Sequence, residues 1–111
     1  MTEYFDLPSV GDILREEFME PLNLSQNALA INIGVPANRI NGIINGTRGI
    51  TADTDLRLTT YFGLSEGYFM RLQDAIELTK ARREIQPQLA KIIPIDSLRK
   101  QKEPETELMQ G

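Results

Sequence analysis

The strongest constraint on the fold of this chain is the stretch LSQNALAINIGVPANRINGIINGTRGIT, residues 24–51. It contains two short runs of apolar residues at helical spacing, joined by a Gly-Val-Pro corner and followed by an Asn-Gly loop. Ser25 is a favourable N-cap for the first run, and Gly34 can adopt the left-handed conformation that ends a helix. Pro36 fits the start of the second run, at or just before its first turn. The stretch therefore predicts two short helices that meet at a sharp turn.

Helical signals also flank this pair, and no stretch reads as a strand. The second helix of the pair, closed by Gly46, directs Ile40, Ile43 and Ile44 inward. One helix is predicted before the pair and two after it. Their boundaries are set by capping and helix-ending residues: Ser9 to Pro21, Thr51 to Gly63, and Ser65 to about Arg83. The last of these carries the stripe Phe69, Leu72, Ile76 and Thr79. We therefore predict an all-α fold of five helices.

Two short helices joined by a corner of about three or four residues containing glycine are typical of a helix-turn-helix. In this unit the second helix can enter the major groove of DNA while the first braces it. Arginine can pair with guanine, asparagine can pair with adenine, and a small alanine permits close approach. The predicted base readers are Ala37, Asn38, Arg39 and Asn41. The other predicted DNA-binding residues are Gln26, Asn27, Pro36, Thr47 and Arg48.

The formal net charge of −4 argues at first against nucleic acid, because neutralised phosphates supply most of the sequence-independent affinity. The distribution of charge matters more than its total. Between Gln26 and Arg48 the chain carries two arginines and no acid. The predicted helix-turn-helix is therefore locally basic.

Composition also narrows the chemistry that the chain can perform. The sequence has no cysteine and no histidine, which removes thiolate nucleophiles and the commonest general base and metal ligand. The acids Glu16, Glu17 and Glu20 are typical of a solvated helix face. We assign no catalysis, cofactor or metal. No apolar run approaches the roughly 20 residues of a membrane span, and the stretch MTEYFDLPSV lacks the basic start and the apolar run that are typical of a signal peptide, so we expect a cytoplasmic protein with no membrane partner.

The character of the chain changes after Glu84. Residues 85–98 hold six large aliphatic side chains interrupted by two prolines, and residues 99–111 are charged and nearly free of apolar side chains. We predict a DNA-binding domain over residues 1–84 and a C-terminal extension over residues 85–111 that is partly disordered. We expect a dimer, with two candidate surfaces, and the first is the stripe Phe69, Leu72 and Ile76 on the last helix, which can instead complete the five-helix core. The second is formed by the aliphatic residues of the extension. They have no evident place in that core, so we expect them to close the dimer or to contact a partner protein. They include Leu89, Ile92, Ile93 and Ile95.

The runs LSQNALA, GVPANRIN, NGTRGITADT and YFGLSEGYF together resemble HigA-type antitoxins, also labelled virulence-associated protein I, a branch of the Xre/Cro-like helix-turn-helix proteins. The similarity covers about residues 8–83. This resemblance implies a lambda-repressor-like, dimeric domain that binds a double-stranded DNA operator and represses its own operon. It also implies neutralisation of a HigB-like toxin, a ribonuclease that cleaves mRNA. It places recognition on Ala37, Asn38, Arg39 and Asn41, with Gln26 and Arg48 in support.

Three positions depart from the pattern of that family. Thr47 stands where a basic residue is expected, which predicts weaker phosphate binding. Gly42 lies in mid-helix at a cost of about 1 kcal/mol, and Asp55 replaces a small apolar residue. The last two predict a less rigid recognition unit.

Two other functions remain open on the sequence alone. One is a stand-alone Xre-family transcriptional regulator without a toxin partner. The other is an enzyme or a structural helical domain that binds no DNA, because capped helix pairs with a glycine corner also occur in proteins without a ligand.

Overall fold

The computed structural model describes residues 6–98, in which every regular element is helical. The elements are α1 (Val10–Ile13, continued by π-helical turns over Leu14–Met19 and a 3₁₀ turn over Glu20–Leu22), α2 (Gln26–Ile33), α3 (Ala37–Asn45), α4 (Ala52–Phe62), α5 (Tyr68–Leu89) and α6 (Ile95–Leu98). The predicted all-α, five-helix fold is confirmed, with α6 as a short addition in the extension. Within the described range the chain divides after Ala81 into two compact units.

The first two helices begin at the predicted caps. The Ser9 hydroxyl accepts a hydrogen bond from the Asp12 N–H at 3.0 Å, and the Asp12 carboxylate accepts one from the Ser9 N–H at 3.1 Å. This second bond, from the backbone of Ser9, holds the pKa of Asp12 below its ordinary value. The Ser25 hydroxyl accepts from the Ala28 N–H at 3.0 Å in the same way. Both caps satisfy backbone donors that a helix start would otherwise leave unpaired.

Two predicted helix boundaries are wrong. Pro21 does not end the first helical run, because a proline in the 3₁₀ turn needs no backbone donor, and the run ends one residue later at Leu22. Ser65 does not cap α5, which begins at Tyr68. The Ser65 hydroxyl instead accepts a hydrogen bond from the Arg71 guanidinium at 3.2 Å.

A carboxylate from α4 caps α5 in place of Ser65. Asp55 is 2% exposed, and its oxygens accept hydrogen bonds from the N–H groups of Gly67 at 2.6 Å, Phe69 at 2.8 Å and Met70 at 3.2 Å. The expectation that Asp55 loosens the recognition unit is not supported by this geometry. A buried acid with three backbone donors joins α4 to α5 at a fixed point.

The core of the first unit is apolar and draws on α1 to α5. Phe18 is partly buried and packs against this core, with its ring centroid 5.2 Å from those of both Phe62 and Phe69. Ile44, predicted to face inward, is only partly buried. The buried apolar residues are Val10, Leu14, Met19, Leu29, Ala30, Ile33, Ile40, Ile43, Ile50, Leu58 and Phe69.

The backbone of α1 lies directly against the backbone of α3. A Cβ atom built on Gly11 would overlap the carbonyl oxygen of Ile43 and would lie 3.0 Å from the Cα of Ile44. A side chain at this position would force the two helices apart. Glycine is therefore what allows α1 to support α3 at this distance.

The second unit carries exposed aliphatic side chains. The backbone of α5 leaves helical geometry at Ile85, with φ −110° and ψ 17°, close to the predicted helix end near Arg83. Beyond it Ile92, Ile93 and Ile95 are each about two-thirds exposed. The predicted domain boundary after Glu84 stays a prediction, and the stretch 99–111, for which we predict disorder, lies outside the described residues. No helix in the described part of the chain is long and apolar enough to cross a membrane.

Candidate nucleic-acid interface

The corner between α2 and α3 is built from backbone hydrogen bonds and held by a side chain from α4. Gly34 ends α2 in the left-handed conformation, with φ 76°, and the Val35 N–H donates to the Ala30 carbonyl at 3.0 Å. Arg57 of α4 then donates from Nη1 to the carbonyl oxygens of Ile33 at 2.8 Å and Gly34 at 3.3 Å. The angle at which α3 leaves α2 is thus stabilised from a third helix.

Four of the polar side chains near α3 form one chain of hydrogen bonds. Asn41 donates from Nδ2 to Gln26 Oε1 at 3.2 Å, and it accepts at Oδ1 from Asn45 Nδ2 at 3.2 Å. Asn45 Oδ1 accepts in turn from the Thr47 hydroxyl at 2.8 Å and from the Thr47 N–H at 3.1 Å. This amide chain, Gln26–Asn41–Asn45–Thr47, joins the start of α2, the exposed side of α3 and the following loop.

The amide chain fixes which way the Asn41 side chain presents its groups. An asparagine amide has two hydrogens on nitrogen and two lone pairs on oxygen, and each atom of Asn41 uses one of these within the chain. One donor and one acceptor remain on an exposed residue. This is the pair that the N7 and N6 edge of adenine requires.

The loop after α3 folds back over Gly42. The Gly42 carbonyl accepts from the Thr47 N–H at 2.9 Å and from the Arg48 N–H at 3.1 Å. A Cβ atom at Gly42 would lie 3.1 Å from the Cβ of Arg48. The two hydrogen bonds hold the predicted phosphate-contacting loop against α3, and the absence of a side chain at Gly42 leaves room for Arg48. The glycine therefore has a packing role here besides its cost to the helix.

Gln73 on α5 holds the other end of this loop. Its side-chain amide accepts from the Ile50 N–H at 2.7 Å and donates to the Ile50 carbonyl at 3.1 Å. The sequence pattern did not indicate a role for this residue. A glutamine in the middle of a helix carries no signal of a partner 23 positions away.

Arg39 lies apart from the amide chain. Residues two positions apart in a helix point about 160° away from each other. The side chain of Arg39 therefore projects from the flank of α3, whereas Asn41 lies on its exposed side. Arg39 is half-buried and donates from Nη1 to Asp53 Oδ1 of α4 at 3.0 Å. The structure thus places Arg39 on the flank of α3, apart from Asn41, and its role as a base reader stays a prediction.

Asp53 and Arg57 complete a cluster on this flank that was not predicted from the sequence. The same oxygen of Asp53 accepts from Arg57 Nε at 2.7 Å. The hydrogen bond from Arg57 lowers the pKa of Asp53, so its carboxylate is ionised at neutral pH. The available signal was the spacing of Asp53 and Arg57, four positions apart on a predicted helix.

The remaining predicted DNA-binding residues lie at the starts of α2 and α3 or in the loop. Pro36 is the N-cap of α3, and its carbonyl accepts from the Arg39 N–H at 3.0 Å. All of the remaining residues are exposed: Asn27, Pro36, Ala37, Asn38 and Arg48. Over residues 6–98 no group of three or more acidic side chains is arranged to hold a metal ion.

The fold and this corner define the class of the protein, which is a helix-turn-helix protein. The family model described as helix-turn-helix matches residues 16–69, from the π-helical turns after α1 to the start of α5.

Similar proteins identify the branch of that class. Virulence-associated protein I of Dichelobacter nodosus is 42% identical over 94 residues, which cover 83% of this chain and 86% of that protein. Antitoxin HigA-1 of Vibrio cholerae is 31% identical over 87 residues, 78% of this chain and 82% of that protein. A structure of Pseudomonas aeruginosa antitoxin HigA with the higBA promoter is 36% identical, has a TM-score of 0.71, and covers 78% of this chain and 96% of that chain. The chain belongs to the HigA-type antitoxin branch, which includes virulence-associated protein I, of the Xre/Cro-like helix-turn-helix family.

Proposed function

We propose that this protein is a sequence-specific DNA-binding antitoxin that represses its own operon and neutralises a HigB-like ribonuclease toxin. The observation that carries the DNA-binding part is the amide chain, because it holds a polar, exposed surface in one arrangement on the second helix of a helix-turn-helix. The structure of Pseudomonas aeruginosa HigA with the higBA promoter supports a DNA operator as the ligand. The name of the Vibrio cholerae relative supports the antitoxin part.

Each residue of the interface then has a proposed contact. Asn41 reads adenine in the major groove, while Ala37 and Asn38, at the exposed start of α3, approach neighbouring base edges. Gln26 has an amide nitrogen to donate to a phosphate at the start of α2. Contacts to the DNA backbone are proposed for the other exposed residues of the site: Asn27, Pro36, Thr47 and Arg48.

Replacing Asn41 by Ala is expected to weaken operator binding by about 1–3 kcal/mol, because the bidentate contact to adenine and the support of Gln26 are lost together. The probe is a duplex that the wild-type protein selects from a randomised pool, and the measurement is a titration at one fixed salt concentration.

Asn32→Ala is the matched control. Asn32 is also an exposed asparagine of the helix pair, but its amide donates to the Tyr61 hydroxyl at 3.0 Å, outside the amide chain. Equal affinity of the Asn41 variant and the wild type, with unchanged helicity, would show that the recognition surface lies elsewhere.

We further propose that the protein acts as a homodimer. One recognition helix covers only a few base pairs, and two-fold symmetry places a second copy one DNA turn, about 34 Å, away. The exposed aliphatic residues of the extension are the proposed contact surface, because exposed apolar patches mark interaction sites.

The double variant Ile92→Asp/Ile93→Asp of the full chain is expected to sediment as a monomer, because two charges cannot be buried in an apolar interface. Gln86→Asp/Gln88→Asp adds the same charge at exposed polar positions and serves as the control. A variant that stays dimeric but no longer co-purifies with the product of the adjacent gene would assign the surface to toxin binding. Persistence of both interactions would exclude both roles. If the wild type binds its operator and captures no such product, the protein is a stand-alone regulator.

A further inference from the structure

The flank of α3 carries two cations that share one anion. Asp53 Oδ1 accepts from Arg39 at 3.0 Å and from Arg57 at 2.7 Å. The side chains are 29%, 41% and 59% exposed for Arg39, Arg57 and Asp53. Asp53 is also the exposed acid of the segment 26–57, since Asp55, the other acid there, is buried against α5.

This arrangement has the chemistry of a phosphate-binding site. Guanidinium groups bind carboxylate and phosphate oxygens through the same planar donor geometry. Among the described residues, the hydrogen bonds use one nitrogen of Arg39 and two of Arg57. Donors therefore remain on both arginines, and water reaches them.

The position of the cluster relates it to DNA. When a recognition helix enters the major groove, its exposed side faces the bases and its flanks face the phosphates along the groove walls. Resting on the function proposed above, we propose that Arg39 and Arg57 form a phosphate-binding site on the flank of α3. In the free protein the Asp53 carboxylate occupies this site and weakens sequence-independent DNA binding.

The strength of the contacts makes such an occupant displaceable. An exposed ion pair changes an equilibrium constant by no more than about fivefold, so a DNA phosphate placed by a correctly docked helix can replace the carboxylate. A loosely docked duplex lacks the base contacts that hold the helix in position. Its phosphates must then compete with the Asp53 carboxylate for the arginines without that support. The carboxylate is therefore expected to weaken sequence-independent DNA binding in particular.

The test compares Asp53→Asn with Asp74→Asn in the full chain. Both variants remove one exposed negative charge, but Asp74 lies on α5, outside the helix-turn-helix. With a scrambled duplex as probe, Asp53→Asn is expected to bind roughly fivefold tighter than Asp74→Asn. The slope of log affinity against log salt is expected to become more negative by about 1–2, because one or two more phosphates are neutralised.

A third variant attributes the gain to the cluster. In an Arg39→Ala background, Asp53→Asn is expected to yield a smaller gain, because one of the released cations is missing. Equal gains from Asp53→Asn and Asp74→Asn would overturn the proposal by reducing it to net charge. Weaker binding of the selected duplex, with scrambled DNA unchanged, would also overturn it and make Asp53 a positioning residue for Arg39.

The proposal and the proposed function can fail separately. A wild-type protein that enriches no sequence from a randomised pool lacks operator recognition, yet a gain by Asp53→Asn on scrambled DNA would still support the phosphate site. Enrichment by the wild type without such a gain would leave the operator function standing and refute the site. No DNA binding by either protein would refute both.

Discussion

Asp55→Ala is expected to lower the free energy of unfolding by about 2–4 kcal/mol, because three backbone N–H groups at the start of α5 lose their acceptor inside the protein. A domain of this size has about 5–15 kcal/mol of stability in total, so the variant loses a large share of it. Chemical denaturation followed by circular dichroism measures the change.

Two further variants separate the causes of this loss. Asp55→Asn keeps one acceptor oxygen but turns an NH₂ group toward backbone donors, so an intermediate loss is expected. Asp74→Ala removes an exposed carboxylate from α5 and is expected to change stability by less than about 0.5 kcal/mol. If Asp55→Ala were as stable as Asp74→Ala, water would have to replace the carboxylate at the start of α5. The hydrogen bonds of Asp55 that join α4 to α5 would then contribute nothing to the free energy of unfolding.

Local signals were sufficient to predict most helix boundaries. Ser9, Ser25 and Gly34 act within one turn of their own position, so a cap or a left-handed residue can be read directly from the chain. The inward position of Ile40 and Ile43 follows from helical spacing for the same reason. The caps and the inward face of α3 depend on residues that are close together in the sequence, so both can be predicted from it.

Apart from the boundary at Pro21, the contacts that were not predicted have a different origin, because they involve a partner distant in sequence. Ser65 looked like the cap of α5, but Asp55, 12 positions before Gly67, supplies the acceptor. The ion pair of Arg39 with Asp53, 14 positions further on, was likewise not predicted, and the base-reading role of Arg39 stays a prediction. Nothing in the local pattern distinguishes a polar side chain that faces solvent from a polar side chain that bonds to another helix.

The sequence predicted most of the polar side chains of the candidate interface, but it did not predict the hydrogen bonds that arrange them. Gln26, Asn41 and Thr47 were identified as polar and outward-facing, but Asn45, which links Asn41 to Thr47, was not. Gln73 was also missed, although it holds the loop through both atoms of its amide. The sequence thus predicts which groups can contact DNA, while tertiary contacts decide how they are held.

The close contact between α1 and α3 leads to the second large expected effect. In an exposed helix, Gly→Ala stabilises by about 1 kcal/mol. At Gly11 the sign is expected to reverse, because the new methyl group overlaps the Ile43 carbonyl and both partners are backbone, which cannot rotate away. We expect Gly11→Ala to lower the free energy of unfolding by about 3 kcal/mol or more.

Gly63→Ala is the matched control, since it makes the same chemical change where, apart from the glycine and its two chain neighbours, no heavy atom lies within 4 Å of the new Cβ. Gly63 has φ 74°, so this control carries only the backbone strain of a left-handed alanine, about 1–2 kcal/mol. Denaturation curves for both variants separate steric overlap from strain.

A Gly11 variant as stable as the wild type would show that α1 and α3 move apart at little cost. In that case α1 does not set the position of the recognition helix, and the affinity of the variant for its selected duplex should also equal that of the wild type. The expected large loss would instead show that the close contact between α1 and α3 contributes to the stability of the fold and holds α3 in place.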